Sequence, residues 1–443
     1  MPRLTASEQV LFAAVVGAVV GGNTTKVGKL LKKKKEGESA SSAASCGGTD
    51  RIESAAVLLA ALHGHVGIIM LLIGRGVDLS ASFASSSEFL RMNMKGNGSI
   101  LSKIPKGLGL VSAAVIGRRI PALQCVLRAG ADPNTPDGVG CNALQVACFD
   151  GDDERRLCIV RELLKWGANP NLRGSPYGSA LHTAAKEGHT NLFTTLLAAA
   201  PATLNLVNEQ GLTPLGTATS FGQHKAVTCL LSLGASDRQV FQETRSGSLQ
   251  EAVVAGHDTL LSLLLSGKGL EAVGGLDSIP DAMGCAVTKS RTRTLNLLLS
   301  VEGEERREFW ARTRVSDDYS GKCMLHFAAE FTSLSAVKLL LAAGADEAAV
   351  DINGALPRDV IGTAQPEFGP PTERDPTKEA AIARVLKCGP AFRARSWAWP
   401  ARLFSEPRAG YNSSKLRVCA VGVLLTRPRS RVFTTRFARY AEK

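Results

Sequence analysis

Aromatic side chains are scarce in this chain of 443 residues, at 5%. A deep globular enzyme core is usually filled by large rings, whereas thin stacked helical layers are filled by Leu, Val and Ala; the 44% hydrophobic content here suits the second arrangement. The ten cysteines form no Cys-x-x-Cys pair and no framework spacing, which argues against a disulfide-stapled secreted domain and for reduced thiols in an intracellular setting. Long apolar runs are also missing. Val10–Val20 is too short to cross a bilayer and lacks a strongly basic start, while Ala55–Ile73 is interrupted by His63, Gly64 and His65, which suit a helix–turn–helix bend better than lipid.

Excess charge of one sign is confined to a short stretch. The formal net charge is +12, but residues 390–443 hold twelve Lys/Arg against Glu406 and Glu442, leaving the first 389 residues near +2. The feature to explain is therefore a basic tail and not a basic body.

The sequence does contain a period. Leu196-Leu197, Leu230-Leu231, Leu264-Leu265 and Leu298-Leu299 recur every 34 residues, and Gly188, Gly222, Gly256 and Ser290 stand eight residues before each pair. A template follows. Thr213-Pro214-Leu215 starts a first helix, with Thr as cap and Pro in the first turn. Small residues such as Ala184-Ala185 and Ala328-Ala329 let two helices close, and a bend glycine ends the first helix in a left-handed conformation. A second helix carries the leucine pair and closes at another glycine, as in Leu163–Asn169 and Leu340–Asp346. Polar turns such as Asp132-Pro133-Asn134 lead to the next unit.

Leu181-His182-Thr183-Ala184-Ala185-Lys186-Glu187-Gly188-His189, Leu212-Thr213-Pro214-Leu215 and Gly130-Ala131-Asp132-Pro133-Asn134 together resemble the ankyrin repeat. The resemblance covers about residues 52–388 with insertions. It implies an all-α array of helix-turn-helix units with short β-turn or hairpin connections, and bends are expected near Gly64, Gly117, Gly151, Gly188, Gly222, Gly256, Ser290 and Thr332. The expected organisation is an amino-terminal segment with a degenerate capping repeat and Lys- and Ser-rich linker (1–51), an array (52–346) with insertions at 80–107 and 301–318, a degenerate carboxy-terminal capping repeat (347–389), and a basic tail (390–443) read as disordered. Within the second insertion, charged Glu302–Trp310 suits a helix extension with Glu302 placed to pair with Arg306.

Catalytic and metal motifs are incomplete. His182 and His326 fall where the resemblance implies a hydrogen bond from one unit's turn to another, so no metal site is expected of the histidines. Gly22–Leu30 lacks the first glycine and the hydroxyl of a phosphate loop. Asp351–Gly354 begins like a calcium loop, but Val360 stands where a bidentate Glu is required. Neither an enzyme nor a cofactor is expected.

The resemblance implies a protein-interaction scaffold in which a partner docks on the concave side. Residues just before each bend are free of packing duty, and turn tips are exposed, so Phe149, Tyr177, Lys186, Phe221 and Phe331 are the expected partner-binding residues. Two other roles stay open: nucleic-acid or acidic membrane-surface binding through residues 390–443, where Arg393, Arg395 and Arg402 are mixed with Trp397, Trp399 and Phe404, and a substrate adaptor of a ubiquitin ligase. The expected compartment is the cytoplasm, with the nucleus open through Lys32–Lys35.

Overall fold

The computed structural model describes residues 6–386 apart from 38–45, 78, 80–107, 139, 150–152, 175–177, 245, 302, 304–305, 315–320 and 364–374. The loop expected at 80–107, the Glu302 pairing and the basic tail therefore lie outside the described residues, as do Tyr177 and Tyr319.

The chain falls into two compact units, residues 1–235 and 236–443. In the first, helices come in pairs: α1 (Ala6–Val20) with α2 (Thr24–Gly37), α3 (Cys46–His63) with α4 (Val66–Ile73), α5 (Leu110–Ile116) with α6 (Ile120–Arg128), α7 (Ala143–Phe149) with α8 (Asp153–Lys165), α9 (Ala180–Glu187) with α10 (Phe193–Ala199), and α11 (Pro214–Ser220) with α12 (His224–Ser232). First helices pack on one another in chain order from α1 to α11. The apolar Val10–Val20 run thus becomes a terminal repeat helix, and Ala55–Ile73 becomes two helices bent at Gly64 (φ 82°). Among the described residues, no helix is long and apolar enough to cross a membrane.

The second unit repeats the plan with α14 (Ser248–Ala255) and α15 (Asp258–Leu264), α17 (Ile279–Thr288) and α18 (Thr292–Leu299), and α20 (Met324–Glu330) and α21 (Leu334–Ala342). It adds α13 (Arg238–Thr244), α16 (Gly267–Ala272) and α19 (Arg307–Arg312). The insertion after α18 does not lengthen that helix, which ends at Leu299. It forms α19 instead, anchored by buried Trp310, whose Nε1 donates to Val301 O at 3.1 Å. Beyond α21, a 3₁₀ turn at Pro357–Val360 packs on α20, and α22 (Pro376–Val385) packs on α21, so the last first helix is reduced to a single turn.

Burial follows the template. In each leucine pair the first residue, Leu196, Leu230, Leu264 or Leu298, is fully buried, while Leu197, Leu231 and Leu265 are only partly so; Leu299 is the exception and is buried. Residues three and four positions earlier, such as Ala226 and Val227 or Leu260 and Leu261, complete the inward face.

The bends carry two demands. Gly188, Gly222 and Gly256 adopt positive φ, and so do Arg118, Ser290 and Thr332, which pay the steric cost that a Cβ imposes there. The bend expected near Gly117 has Arg118 as its left-handed residue. Gly117 itself is right-handed, and a glycine is required for another reason: a Cβ would lie 2.2 Å from Leu62 O of α3. The second demand comes from the residue after the next unit's bend, which lies over the glycine. Gln223 Nε2 donates to Lys186 O at 2.8 Å and Arg291 Nη2 to Val254 O at 3.0 Å, while His65 Nε2 lies 3.3 Å from Val20 O.

A second row of bonds ties helices to turn tips. His182 Nε2 lies 3.0 Å from Leu212 O and His326 Nε2 3.0 Å from Ala355 O, as the resemblance implies. Gln145 donates to Gly178 O and Gln250 to Ser278 O from the same register position, six residues before the bend. The tips are held from within: Asn208 Oδ1 accepts from Gln210 N and Leu212 N, and Asp351 Oδ1 from Asn353 N and Ala355 N. The incomplete calcium motif is therefore a repeat turn. Burial would raise the Asp351 carboxyl, but these amides and then His326 outweigh it and hold the group below its usual range. Isolated antiparallel bridges at Gly174–Gly178 and Arg314–Cys323 mark two of the hairpin-like connections.

Candidate interaction surface

The last residues of successive first helices share a place in the stack. Each stands next to a bend whose hydrogen bonds hold the backbone. In the first unit this position brings together Phe149 at the end of α7, Lys186 near the end of α9 and Phe221 just beyond α11. Lys186 Nζ lies 5.6 Å from the centroid of the Phe149 ring and 5.2 Å from that of Phe221, so one cation is bracketed by two rings from the neighbouring units. Glu187 Oε1 lies 3.5 Å from the same ammonium. Phe221 remains 50% exposed, whereas the Lys186 side chain is 17% exposed. The result is a stiff row with an apolar end and a pinned positive centre.

Phe331 belongs to a separate cluster in the second unit. Its ring stacks on Phe327 at 6.4 Å, and Lys322 Nζ lies 5.9 Å from the Phe327 centroid and 3.0 Å from Glu330 Oε2. Of the five residues expected to bind a partner, three thus meet, one stands in its own cluster and Tyr177 lies outside the described residues. Lys322 and Phe327 were not legible as part of a site, although Phe327 precedes Phe331 by four residues, the spacing that places two side chains on one helix face.

The remaining chemistry is internal. Burial pushes the His182 imidazole down to about 4, while Leu212 O is the first partner opposing that shift. At the equivalent place in the second unit, Cys323 Sγ lies 3.0 Å from His326 Nδ1. Burial would raise the Cys323 thiol, but hydrogen bonding to His326 lowers it overall. Among the described residues, no three His, Cys, Asp or Glu side chains are grouped to hold a metal ion.

Paired helices, tip hairpins and bends at a fixed spacing define a stacked repeat array. The family model "Ankyrin repeats (3 copies)" matches residues 110–205, 153–244 and 181–274. Residues 110–274 of this chain are thus ankyrin repeats. It is 32% identical over 111 residues to ankyrin repeat protein FPV014 of Fowlpox virus (strain NVSL), a match covering 25% of this chain and 24% of that one. It is 28% identical over 194 residues to the glycerophosphocholine phosphodiesterase gde1 of Schizosaccharomyces pombe (strain 972), covering 43% of this chain and 17% of that one. The chain thus spans a quarter or less of the length of these curated relatives. The human ASB11 ankyrin repeat domain is similar in structure with a TM-score of 0.37 and 22% identity, over 56% of this chain and 98% of that one.

Proposed function

We propose that this chain is a non-enzymatic scaffold or adaptor that captures a protein partner on the row formed by Phe149, Lys186 and Phe221. The observation that supports this reading is the bracketed ammonium. A lysine in water samples many rotamers, but one held between two rings on adjacent units presents its charge at a fixed point, and half-exposed Phe221 adds an apolar anchor beside it. Fixed anchors lose little conformational freedom on binding, which is how small surfaces become specific. The Phe327–Phe331 cluster is a second anchor of the same kind in the other compact unit.

Affinity capture from native extract tests the proposal. Phe221→Ala and Lys186→Ala together should deplete the partner set retained by the unaltered chain while lowering the melting temperature much less than loss of a fully buried leucine, because neither residue is among the fully buried ones. Retention of the same set by the double variant, or an equal loss of stability and capture, would assign the row to packing instead.

A further inference from the structure

The first helix pair, α1 and α2, carries an unusual outer face on the side away from the next pair. End units of repeat arrays normally turn a polar face to water, because an inner unit has two apolar faces and an end unit should have one. Here α1 buries Phe12, Val15, Val16 and Val19 and leaves Gln9, Val10, Ala13 and Gly17 exposed on the opposite side, with Gly21 exposed just beyond the helix. Val10 is 72% exposed, and a Cβ added to Gly17 would meet nothing within 4 Å. In the repeat register, Ala13 and Gly17 correspond to Ala55 and Leu59 of the next pair and to Ser179 and Thr183 further on, all of which are buried by stacking.

Beside this face lies concentrated charge. Helix α2 buries Val27 and Leu31 and exposes Lys26, Lys29 and Lys32, and Lys33, Lys34 and Lys35 follow in the sequence. Residues 1–37 hold seven Lys/Arg against Glu8 and Glu36, a balance of +5. Since the tail carries +10 of the total +12, residues 38–389 are left at −3. The lysines are thus concentrated on the end pair while the rest of the array is slightly acidic. Helices α1 and α2 pack on α3 and α4, and in the repeat register Lys26 corresponds to Ile68 and Leu192, both buried, which puts Lys26 on the same outer side as Ala13 and Gly17.

We propose that this end pair docks on an anionic bilayer surface, with Val10 and the small residues of α1 against the headgroup boundary and the α2 lysines against acidic lipid. An apolar strip adjoining a lysine face is the combination that interfacial helices use, and each lysine near an acidic leaflet adds to the attraction. Nucleic acid would use the lysines but gain nothing from the exposed valine.

Flotation of the full chain with phosphatidylcholine vesicles, with and without phosphatidylserine, tests the proposal. The chain should float only with the acidic vesicles, and Lys26→Glu/Lys29→Glu/Lys32→Glu should weaken binding by at least about tenfold with the basic tail intact. The corresponding Gln variant should give a smaller loss and guards against misfolding of the charge-reversed protein. Val10→Asp should weaken binding further in salt that screens the lysines. Flotation of the charge variants equal to that of the unaltered chain would overturn the proposal and leave the tail as the carrier. A stronger preference for duplex nucleic acid or a soluble acidic polypeptide, lost in the same variants, would also overturn it.

Discussion

His182 is fully buried, and its ring does two things at once: Nδ1 sits 2.8 Å from Ser179 Oγ at the start of its own helix, and Nε2 meets Leu212 O in the next unit's turn. Protonation would place a charge where solvent cannot reach, so the folded state resists it down to about pH 4, against 6.5 for the free group. Between those values the unfolded chain binds more protons than the folded one, so stability is full above pH 6.5 and falls as pH drops towards 4, by about 3 kcal/mol. His326 runs the other way. Burial lowers its pKa, but the Cys323 thiol and Ala355 O outweigh that and raise it, so its contribution is present below 6.5 and lost as pH rises through the folded value. Gln145 makes the same bridge to the next turn without titrating. His182→Gln should therefore keep most of the stability at neutral pH and flatten its decline on acidification. Urea unfolding at several pH values reads this directly, and unchanged slopes would show that His182 is not the group responsible.

At the level of the helix, the leucine pair is two different residues. Leu230 faces the interior of α12 with Ala226 and Val227, while Leu231 is partly exposed. Leu230→Ala should cost about 2–5 kcal/mol by opening a cavity, and Leu231→Ala should cost well under half as much. Thermal unfolding of the two variants separates them, and equal losses would refute the assigned inward face. The 34-residue spacing made the helices and their stacking legible, because one buried residue per turn of each second helix must recur at the period of the layer. Other features were less visible. Gly117 looks like a bend glycine but is needed for its approach to Leu62 O, while Arg118 takes the strained backbone. Gln145 and Gln250 are inter-unit bridges that do not resemble the histidines they replace until their register is aligned. In the charged insertion, Trp310 decided the outcome: burying one indole made α19 a separate element. Phe149, Lys186 and Phe221 were readable as unassigned by packing, but their mutual contacts come from the stacking distance between layers, which no local sequence pattern states.

For the whole molecule, basic charge is unevenly distributed along the chain. The array between residues 38 and 389 has a slight negative balance, and basic charge is concentrated in the end pair and the tail. A partner held by the Phe149–Lys186–Phe221 row meets one pinned ammonium and an exposed ring, so its affinity should change modestly with salt. A polyanion gathered by many lysines and arginines would release counterions and lose affinity steeply, with a slope near −0.9 per phosphate neutralised. The two modes can therefore be told apart on one protein. Substituting the twelve Lys/Arg of residues 390–443 by Gln should leave partner capture by the row intact at moderate salt, while binding by the tail to any polyanion should disappear. If capture of the protein partner were lost with those charges and had shown the steep salt slope beforehand, the tail and not the aromatic row would be the docking element.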